Sequence, residues 1–232
     1  MKLYAQNVSK KFMRKRDESN VFYAVEAAEL TLNPGQLTII SGHSGSGKST
    51  LLNMLCGLLK PDEGAVLADE CDLYSLDDAQ LSHFRNQYFG IIPQGQTAIH
   101  SLTVLENVLL PVTLYGINSK NRADYDAASA YAKDLLELTG IEDLRDIFPK
   151  ELSGGELRRM AIARSLIKKP AVIFADEPTG DLDDANTEIV MKLFRRIADE
   201  GTSILIVTHD KDIYPYADQI YDMKAGKLYL QS

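Results

Sequence analysis

The sequence predicts an α/β fold built on a mostly parallel sheet, and three observations predict it. Four short apolar runs, at residues 37–40, 89–92, 171–175 and 204–207, lack the polar alternation of a half-wet strand. Parallel strands covered on both faces have that pattern. Each run leads at once into residues with chemistry to offer: a glycine-rich loop, Gln94, the pair Asp176-Glu177, and His209. Open parallel sheets bind ligands just beyond the carboxyl ends of their strands, so the four endings converge on one expected site.

The chain of 232 residues is long enough to bury a large core. Its 45% hydrophobic and 25% charged residues are ordinary globular composition. With 25 basic against 33 acidic side chains the net charge is −8, which argues against a sequence-independent nucleic-acid binder, and no nucleic-acid partner is expected. The one basic cluster, residues 10–16, is interrupted by Phe12 and Met13 and followed by Asp17 and Glu18, and reads as a solvated loop. The first residues lack the apolar run of a signal peptide, and no stretch approaches the ~20 apolar residues of a bilayer crossing. A cytosolic chain is expected. Cys56 and Cys71 flank a Pro-Asp-Glu-Gly turn and read as buried or idle thiols.

Between Gln94 and Pro149 the chain changes character. Residues 104–115 and 123–140 read as helices, the second with leucine and alanine on one face and closed by Thr139-Gly140, so that 95–149 forms a helical insertion. The tail, 219–223 and 227–230 around Lys224-Ala225-Gly226, reads as a hairpin.

The first loop, Gly42-His43-Ser44-Gly45-Ser46-Gly47-Lys48-Ser49-Thr50, fits the G-x-x-x-x-G-K-[ST] phosphate-binding pattern between a strand and a helix predicted over 50–59. Glycines let backbone N–H groups close on phosphate oxygens, and the helix N-terminus adds unpaired donors and partial positive charge. Lys48 is expected on the β- and γ-phosphates and the Ser49 hydroxyl on Mg²⁺. His43 occupies a free position of the pattern: it belongs to the loop but receives no chemistry of its own.

Asp176 and Glu177 end an apolar strand. Neighbours on a strand point to opposite sides, so their roles divide. Asp176 is expected to hold Mg²⁺ through its water shell, and Glu177 to polarise the attacking water. A helix or turn boundary also uses Asp-Glu-Pro, a reading that the phosphate loop upstream outweighs. His209 is expected to contact the γ-phosphate and to orient Glu177.

Leu152-Ser153-Gly154-Gly155-Glu156 precedes a helix predicted over 157–169. Ser153 and Glu156 have the spacing of a capping box. Two glycines are not part of that motif, and they suit a helix N-terminus left bare for an anion. Here the residues resemble the ABC ATPase family over nearly the whole chain. The signature is similar to that family's LSGGQ with Glu156 in the last place, and Gln94, Asp176-Glu177, Leu182-Asp183 and His209 follow the family's order.

The resemblance implies a P-loop NTPase with a RecA-like core and an N-terminal antiparallel β subdomain, together making up 1–94 and 150–232. The inserted α-helical subdomain would be 95–149. It also implies ATP and Mg²⁺ as cofactors, with Gln94 among the metal-side ligands. Ser153, Gly154, Gly155 and Glu156 would contact the ATP held by a second copy of the chain, giving a head-to-tail homodimer around two nucleotides. Phe12 best matches the aromatic that stacks on adenine, with Tyr23 as its competitor. Glu177-Pro178-Thr179-Gly180-Asp181-Leu182-Asp183 and the stretch from Leu102 to Val108 are similar to the lipoprotein-release, macrolide-export and antimicrobial-peptide-export subgroup, which includes FtsE-like subunits. Asp181 and Asp184 depart from it and add negative charge at the dimer seam.

A motor on a separately encoded transmembrane permease is therefore expected, held peripherally at the cytoplasmic membrane face. An FtsE-like regulatory motor without transport is the alternative. A small-molecule P-loop kinase lacks the signature and the switch histidine. Gln94 is the expected hinge. Leu102, Val104, Leu105, Val108, Leu109 and Val112 supply the insertion's core, with a surplus expected to form an apolar groove for a helix of the permease.

Overall fold

The computed structural model describes residues 1–13, 21–95, 97–115, 122–180 and 182–231. Positions 14–18 of the basic stretch and its acidic end, and Asp181, lie outside the described residues. The chain opens with a long antiparallel pair, β1 (Leu3–Met13) and β2 (Val21–Leu32). It then lays down β3 (Leu37–Ser41), helix α1 (Lys48–Leu55), β4 (Glu63–Ala68) and the short β5 (Cys71–Asp72). Helix α2 (Asp78–Tyr88) runs into β6 (Phe89–Ile92). Helices α3 (Val104–Tyr115), α4 (Arg122–Leu138) and α5 (Gly154–Leu166) follow, then β7 (Val172–Asp176), α6 (Asp184–Asp199) and β8 (Ser203–Thr208). The hairpin β9 (Gln219–Lys224) and β10 (Lys227–Leu230) ends the fold.

Two sheets result. One is antiparallel in the order β2-β1-β4-β5; the other runs β10-β9-β3-β8-β7-β6. In the second, β9, β3, β8, β7 and β6 are parallel and only β10 is antiparallel. Every residue of β3, β7 and β8 is buried, and the alternation the sequence lacks reappears as two different cores. Leu37, Ile39, Ile173, Ala175, Ile204 and Ile206 face the core built with α3, α4, α5 and α6. Ile40, Val172, Phe174, Leu205 and Val207 face the core built with α1 and the antiparallel sheet. Strand neighbours point to opposite faces, and both faces here are apolar. Each such side chain contributes roughly 1.5–3 kcal/mol of transfer free energy, and so the four runs settle at the centre.

Local chemistry sets the ends of the helices, and in two places it corrects the expected bounds. Helix α1 stops at Leu55 rather than 59, because Gly57 takes a left-handed conformation (φ 72°) and the N–H groups of Leu58 and Leu59 turn back to the Asn53 carbonyl. Helix α5 begins at Gly154 rather than 157. Ser153 caps it, and it ends at Leu166, where the Lys169 N–H returns to the Leu166 carbonyl. Helix α4 closes as expected: Gly140 (φ 68°) lets the Ile141 N–H reach the Leu136 carbonyl at 2.9 Å. The C-terminal hairpin turns on Ala225 and Gly226, both at positive φ, as a two-residue turn matched to strand twist requires.

The expected apolar surplus on the insertion is mostly turned inward. Val104, Val108, Leu109 and Val112 are buried against Leu135, Leu136 and Met160, and Leu102 and Leu105 are half-buried. Amphipathic packing of α3 on α4 and α5 consumes Val104, Val108, Leu109 and Val112 and covers part of Leu105. Charge at Val104 or Val108 would therefore break the core instead of uncoupling a partner. What the segment before α3 does expose is Ile99, His100 and Ser101.

Asn107 holds that segment from beneath. Its side chain is fully buried, accepts from the Ile99 N–H at 2.8 Å, and donates to the Ile99, Leu102 and Thr103 carbonyls. Asn107→Ala strands these groups in the interior. It is expected to lower unfolding free energy by about 2–3 kcal/mol in urea titration, with no effect expected if water replaces the amide. The cysteines are free thiols: Cys56 is buried, which pushes its thiol up to about 12, and Cys71 is half-buried.

Candidate functional site

The carboxyl ends of β3, β6, β7 and β8 open into one cleft of about 570 Å³. Its lining includes His43, Ser44, Gly45, Gly47, Lys48, Ser49 and Thr50 from the first loop, with Gln94, Asp176, Glu177 and His209 from the other three endings. The convergence expected from the four runs is thus a physical cavity.

The glycines of the first loop divide by what surrounds them. A Cβ on Gly47 would lie 2.0 Å from the Ala24 carbonyl oxygen, and one on Gly42 would lie 2.4 Å from that of Met223. These two are needed because β2 and the C-terminal hairpin press on the loop from behind. The Gly226 N–H also donates to the Ser46 carbonyl at 3.0 Å. A Cβ on Gly45 would meet nothing within 4 Å, and its φ is 78°, so Gly45 shapes the open side where a ligand would sit.

Helix α1 starts at Lys48 with no side-chain cap and no acidic residue in its first turn. Its leading N–H groups are left for an anion. The buried Lys48 folds over the loop and donates to the Gly42 carbonyl (2.7 Å) and the His43 carbonyl (3.2 Å). Ser46 has a buried hydroxyl without a partner, whereas His43 and Ser44 are exposed.

Asp176 and Glu177 are both buried. Burial pushes the Asp176 carboxyl above the usual carboxylate range, against an opposing hydrogen bond from the Ser49 hydroxyl. Asp176 Oδ1 is buried without any hydrogen-bond partner, an oxygen suited to an ion or a water. Glu177 sits at φ 48°, a conformation that costs a β-carbon-bearing residue of order 1–3 kcal/mol. Its surroundings hold it there. Its N–H donates to the Val207 carbonyl at 2.9 Å, and the Thr208 hydroxyl donates to Oε2 at 2.9 Å. His209 Nδ1 lies 2.9 Å from Oε1. The expected pairing of His209 with Glu177 is therefore present as a direct contact.

Among the described residues no group of three His, Cys, Asp or Glu side chains could hold a metal by itself. The expected metal-side oxygens, the Ser49 hydroxyl, the Asp176 carboxylate and the Gln94 amide, all line the cleft, while the second carboxylate there, Glu177, is already bound by Thr208 and His209. One carboxylate with neutral oxygens fits Mg²⁺, which keeps waters and shares phosphate ligands, better than a metal needing a full protein cage.

The far end of the cleft is apolar: Phe12, Phe22 and Ala24. Tyr23 points elsewhere, lying under the Lys11 ammonium at 4.8 Å, so the cleft contains Phe12 and not its competitor. Sequence reasoning missed Phe22 and the buttress from Ala24, Met223 and Gly226. Only the pairing of β1 with β2, and of β9 with β3, brings those residues here.

Gln94 lies exposed two residues past β6. The chain around it is tied to α5, since Arg158 donates to the Pro93 carbonyl (3.4 Å) and Arg164 to the Thr97 carbonyl (2.8 Å) and hydroxyl.

Ser153, Gly154, Gly155 and Glu156 are not part of the cleft lining. The capping box forms: the Ser153 hydroxyl accepts from the Glu156 N–H (3.3 Å), and Glu156 Oε2 accepts from the Ser153 N–H (2.7 Å). The helix end is thus capped and not bare, contrary to the expectation drawn from the two glycines. Its glycines differ too. A Cβ on Gly155 would come within 2.7 Å of Asn186 Oδ1, whereas one on Gly154 would meet nothing within 4 Å. Gly155 serves packing within the chain; Gly154 presents bare backbone outward.

Comparison with known proteins finds relatives over nearly the whole chain. Residues 25–180 match the family model described as ABC transporter. The lipoprotein-releasing system ATP-binding protein LolD of Shewanella oneidensis is 40% identical over 227 residues, 97% of this chain and 95% of that protein. LolD of Treponema denticola is 39% identical, covering 85% of each. Among solved structures, the dimeric cassette MJ0796 superposes with a TM-score of 0.87 at 33% identity, covering 97% of this chain and 96% of that one. The same cassette in a dimeric post-hydrolysis state bound to ADP and Pi gives 0.85.

Proposed function

The chain belongs to the ABC transporter family, as an ATP-binding subunit that hydrolyses ATP, and we propose on that premise that two copies close head to tail around two nucleotides and drive a separately encoded membrane permease. One observation carries the dimer. The signature residues 153–156 lie outside the cleft of their own chain, and Gly154 faces open space. A motif shaped for close backbone approach, with nothing approaching it, is completed by the cleft of a second copy. The dimeric state of the MJ0796 cassette supports the same arrangement.

Within each cleft Lys48 takes the β- and γ-phosphates, joined by the uncapped N-terminus of α1. Mg²⁺ bound with the nucleotide would neutralise phosphate charge, held by Ser49, Asp176 and Gln94. Glu177 polarises the attacking water, its carboxylate held by Thr208 and turned by His209. His209, still largely exposed at the cleft, would contact the γ-phosphate as well. Ser153 and Gly154 of the second copy close the site over the phosphates. The division into a catalytic part, 1–94 and 150–232, and a helical part, 95–149, gives the closing motion two bodies to move.

No helix among the described residues is long and apolar enough to cross a membrane, so the work is delivered elsewhere, at the cytoplasmic face through the permease. The relatives named for lipoprotein release support extraction of lipoproteins as the cargo, ahead of peptides or drugs. Mixing subunits tests the dimer. Ser153→Ala/Gly154→Asp protein and Lys48→Ala protein are each expected to be inactive alone. Mixed, they form heterodimers with one doubly damaged and one intact site, and partial ATP hydrolysis is expected to return. No recovery, with heterodimers demonstrated by pull-down of one tag by the other, would overturn the head-to-tail arrangement.

A further inference from the structure

Glu177 and His209 border more than the nucleotide cleft. Both also line a second cavity of about 340 Å³, shared with Thr179, Gly180, Asp210 and Lys211. Glu177 thus stands between two openings, and a water placed for attack on the nucleotide belongs to only one of them.

Two turns are laced together around this carboxylate. Glu177 and Thr179 lie just past β7, whereas Thr208 ends β8 and His209 and Asp210 follow it. The hydroxyl of the buried Thr179 donates to Asp210 Oδ2 at 3.2 Å, across 31 residues of sequence. Asp210 Oδ1 accepts the Asp212 N–H at 2.9 Å, which closes its own turn. The Asp210 backbone N–H donates to the Thr208 oxygen at 3.0 Å. A hydroxyl has one hydrogen and rotates to suit its neighbours. With its oxygen accepting from Asp210, Thr208 gives that hydrogen to Glu177 Oε2, at 2.9 Å. Asp210 therefore bears on Glu177 twice: through Thr208, and through the Thr179 end of the turn in which Glu177 is held at φ 48°. Asp210 is absent from the lining of the nucleotide cleft, so its influence on the reaction runs through these neighbours.

We propose that Asp210 is a positioning residue: its carboxylate clamps Thr179 to the turn after β8, and so aims Glu177 at the nucleotide and away from the second cavity. The proposal rests on the reading of Glu177 as the group that polarises water, and adds to it the residue that sets its direction.

Asp210→Ala and Thr179→Val each cut the clamp. Both are expected to lower kcat about ten- to a hundredfold, the scale on which misplacing a reacting group acts, with the KM for ATP near its wild-type value. Asp210→Asn is expected to restore most of the turnover. Its amide oxygen can take the Asp212 N–H while its amide N–H donates to the Thr179 oxygen. The Asp210→Ala/Thr179→Val double variant is expected to be no slower than Asp210→Ala, since the two substitutions remove the same link. In a Glu177→Gln background Asp210→Ala is expected to leave the residual hydrolysis unchanged, because the group it aims is gone. A general loss of structure would instead lower hydrolysis in both backgrounds alike.

The proposal is overturned if Thr179→Val or Asp210→Ala turns over ATP as the wild type does, or if Asp210→Asn is as slow as Asp210→Ala. It is overturned too if Asp210→Ala slows the Glu177→Gln protein by the same factor as the wild type. Should Asp210→Ala not fold, Thr179→Val decides, because valine keeps the shape of threonine. A failure of the reading of Glu177 looks different: Glu177→Gln by itself would hydrolyse ATP at nearly the wild-type rate.

Discussion

Lys48→Ala is expected to lose ATP hydrolysis by a hundredfold or more, the scale on which a preorganised charge at the reacting phosphate acts. The structure says why no neighbour can substitute. Lys48 is the buried cation of the cleft lining, its Nζ already positioned over the loop by the Gly42 and His43 carbonyls. Alanine keeps the helix start, because α1 takes its first turn from backbone that Gly47 arranges, so loss of turnover without loss of fold is the expected outcome. Steady-state phosphate release and thermal unfolding, measured side by side, test this. Near wild-type turnover in a folded variant would remove Lys48 from the chemistry.

Glu177→Gln is expected to bind ATP yet hydrolyse it roughly 10²–10⁴-fold more slowly, the span typical of a lost general base. The amide keeps the shape of the side chain and an oxygen for the Thr208 hydroxyl, so the strained backbone at φ 48° stays supported. With the step that separates the subunits blocked, the ATP-bound dimer is expected to accumulate. Size-exclusion chromatography with and without ATP reads this directly. A Glu177→Gln protein saturated with ATP and still monomeric would count against the closed dimer. His209→Ala removes the contact to Oε1 and is expected to lower turnover while leaving ATP affinity intact.

The parts of this protein legible in the sequence are those whose cause is local. The four buried strands were visible because a parallel strand with two covered faces shows an uninterrupted apolar run. The hairpin was visible because Ala225-Gly226 must adopt positive φ. The capping box at Ser153 and Glu156 was visible as a spacing, although its glycines suggested a bare helix end that the folded chain does not leave. Helix α6 escaped notice despite its Val190, Phe194, Ile197 and Ala198 face, since it follows chemically richer residues. Helix α2 was missed in the same way, although Asp77 and Gln80 form a capping box at its start.

What the sequence by itself determined is the inventory of the site and its order along the chain. Each phosphate-loop glycine, acid and histidine is announced by neighbours within a few residues. The tertiary structure alone decided which of them meet. Strand β8 lies between β3 and β7, and that places Thr208 and His209 against Glu177, 31 and 32 residues away. The same long-range pairing presses Ala24 and Met223 onto the loop glycines and sets Phe22 beside Phe12. It also turned the apolar run of α3 inward, since packing on α4 and α5 removes that surface from water. Local sequence specifies turns, caps and strand ends through short-range sterics and hydrogen bonds. Contacts across tens of residues depend on which buried faces fit one another, and only the folded chain resolves that.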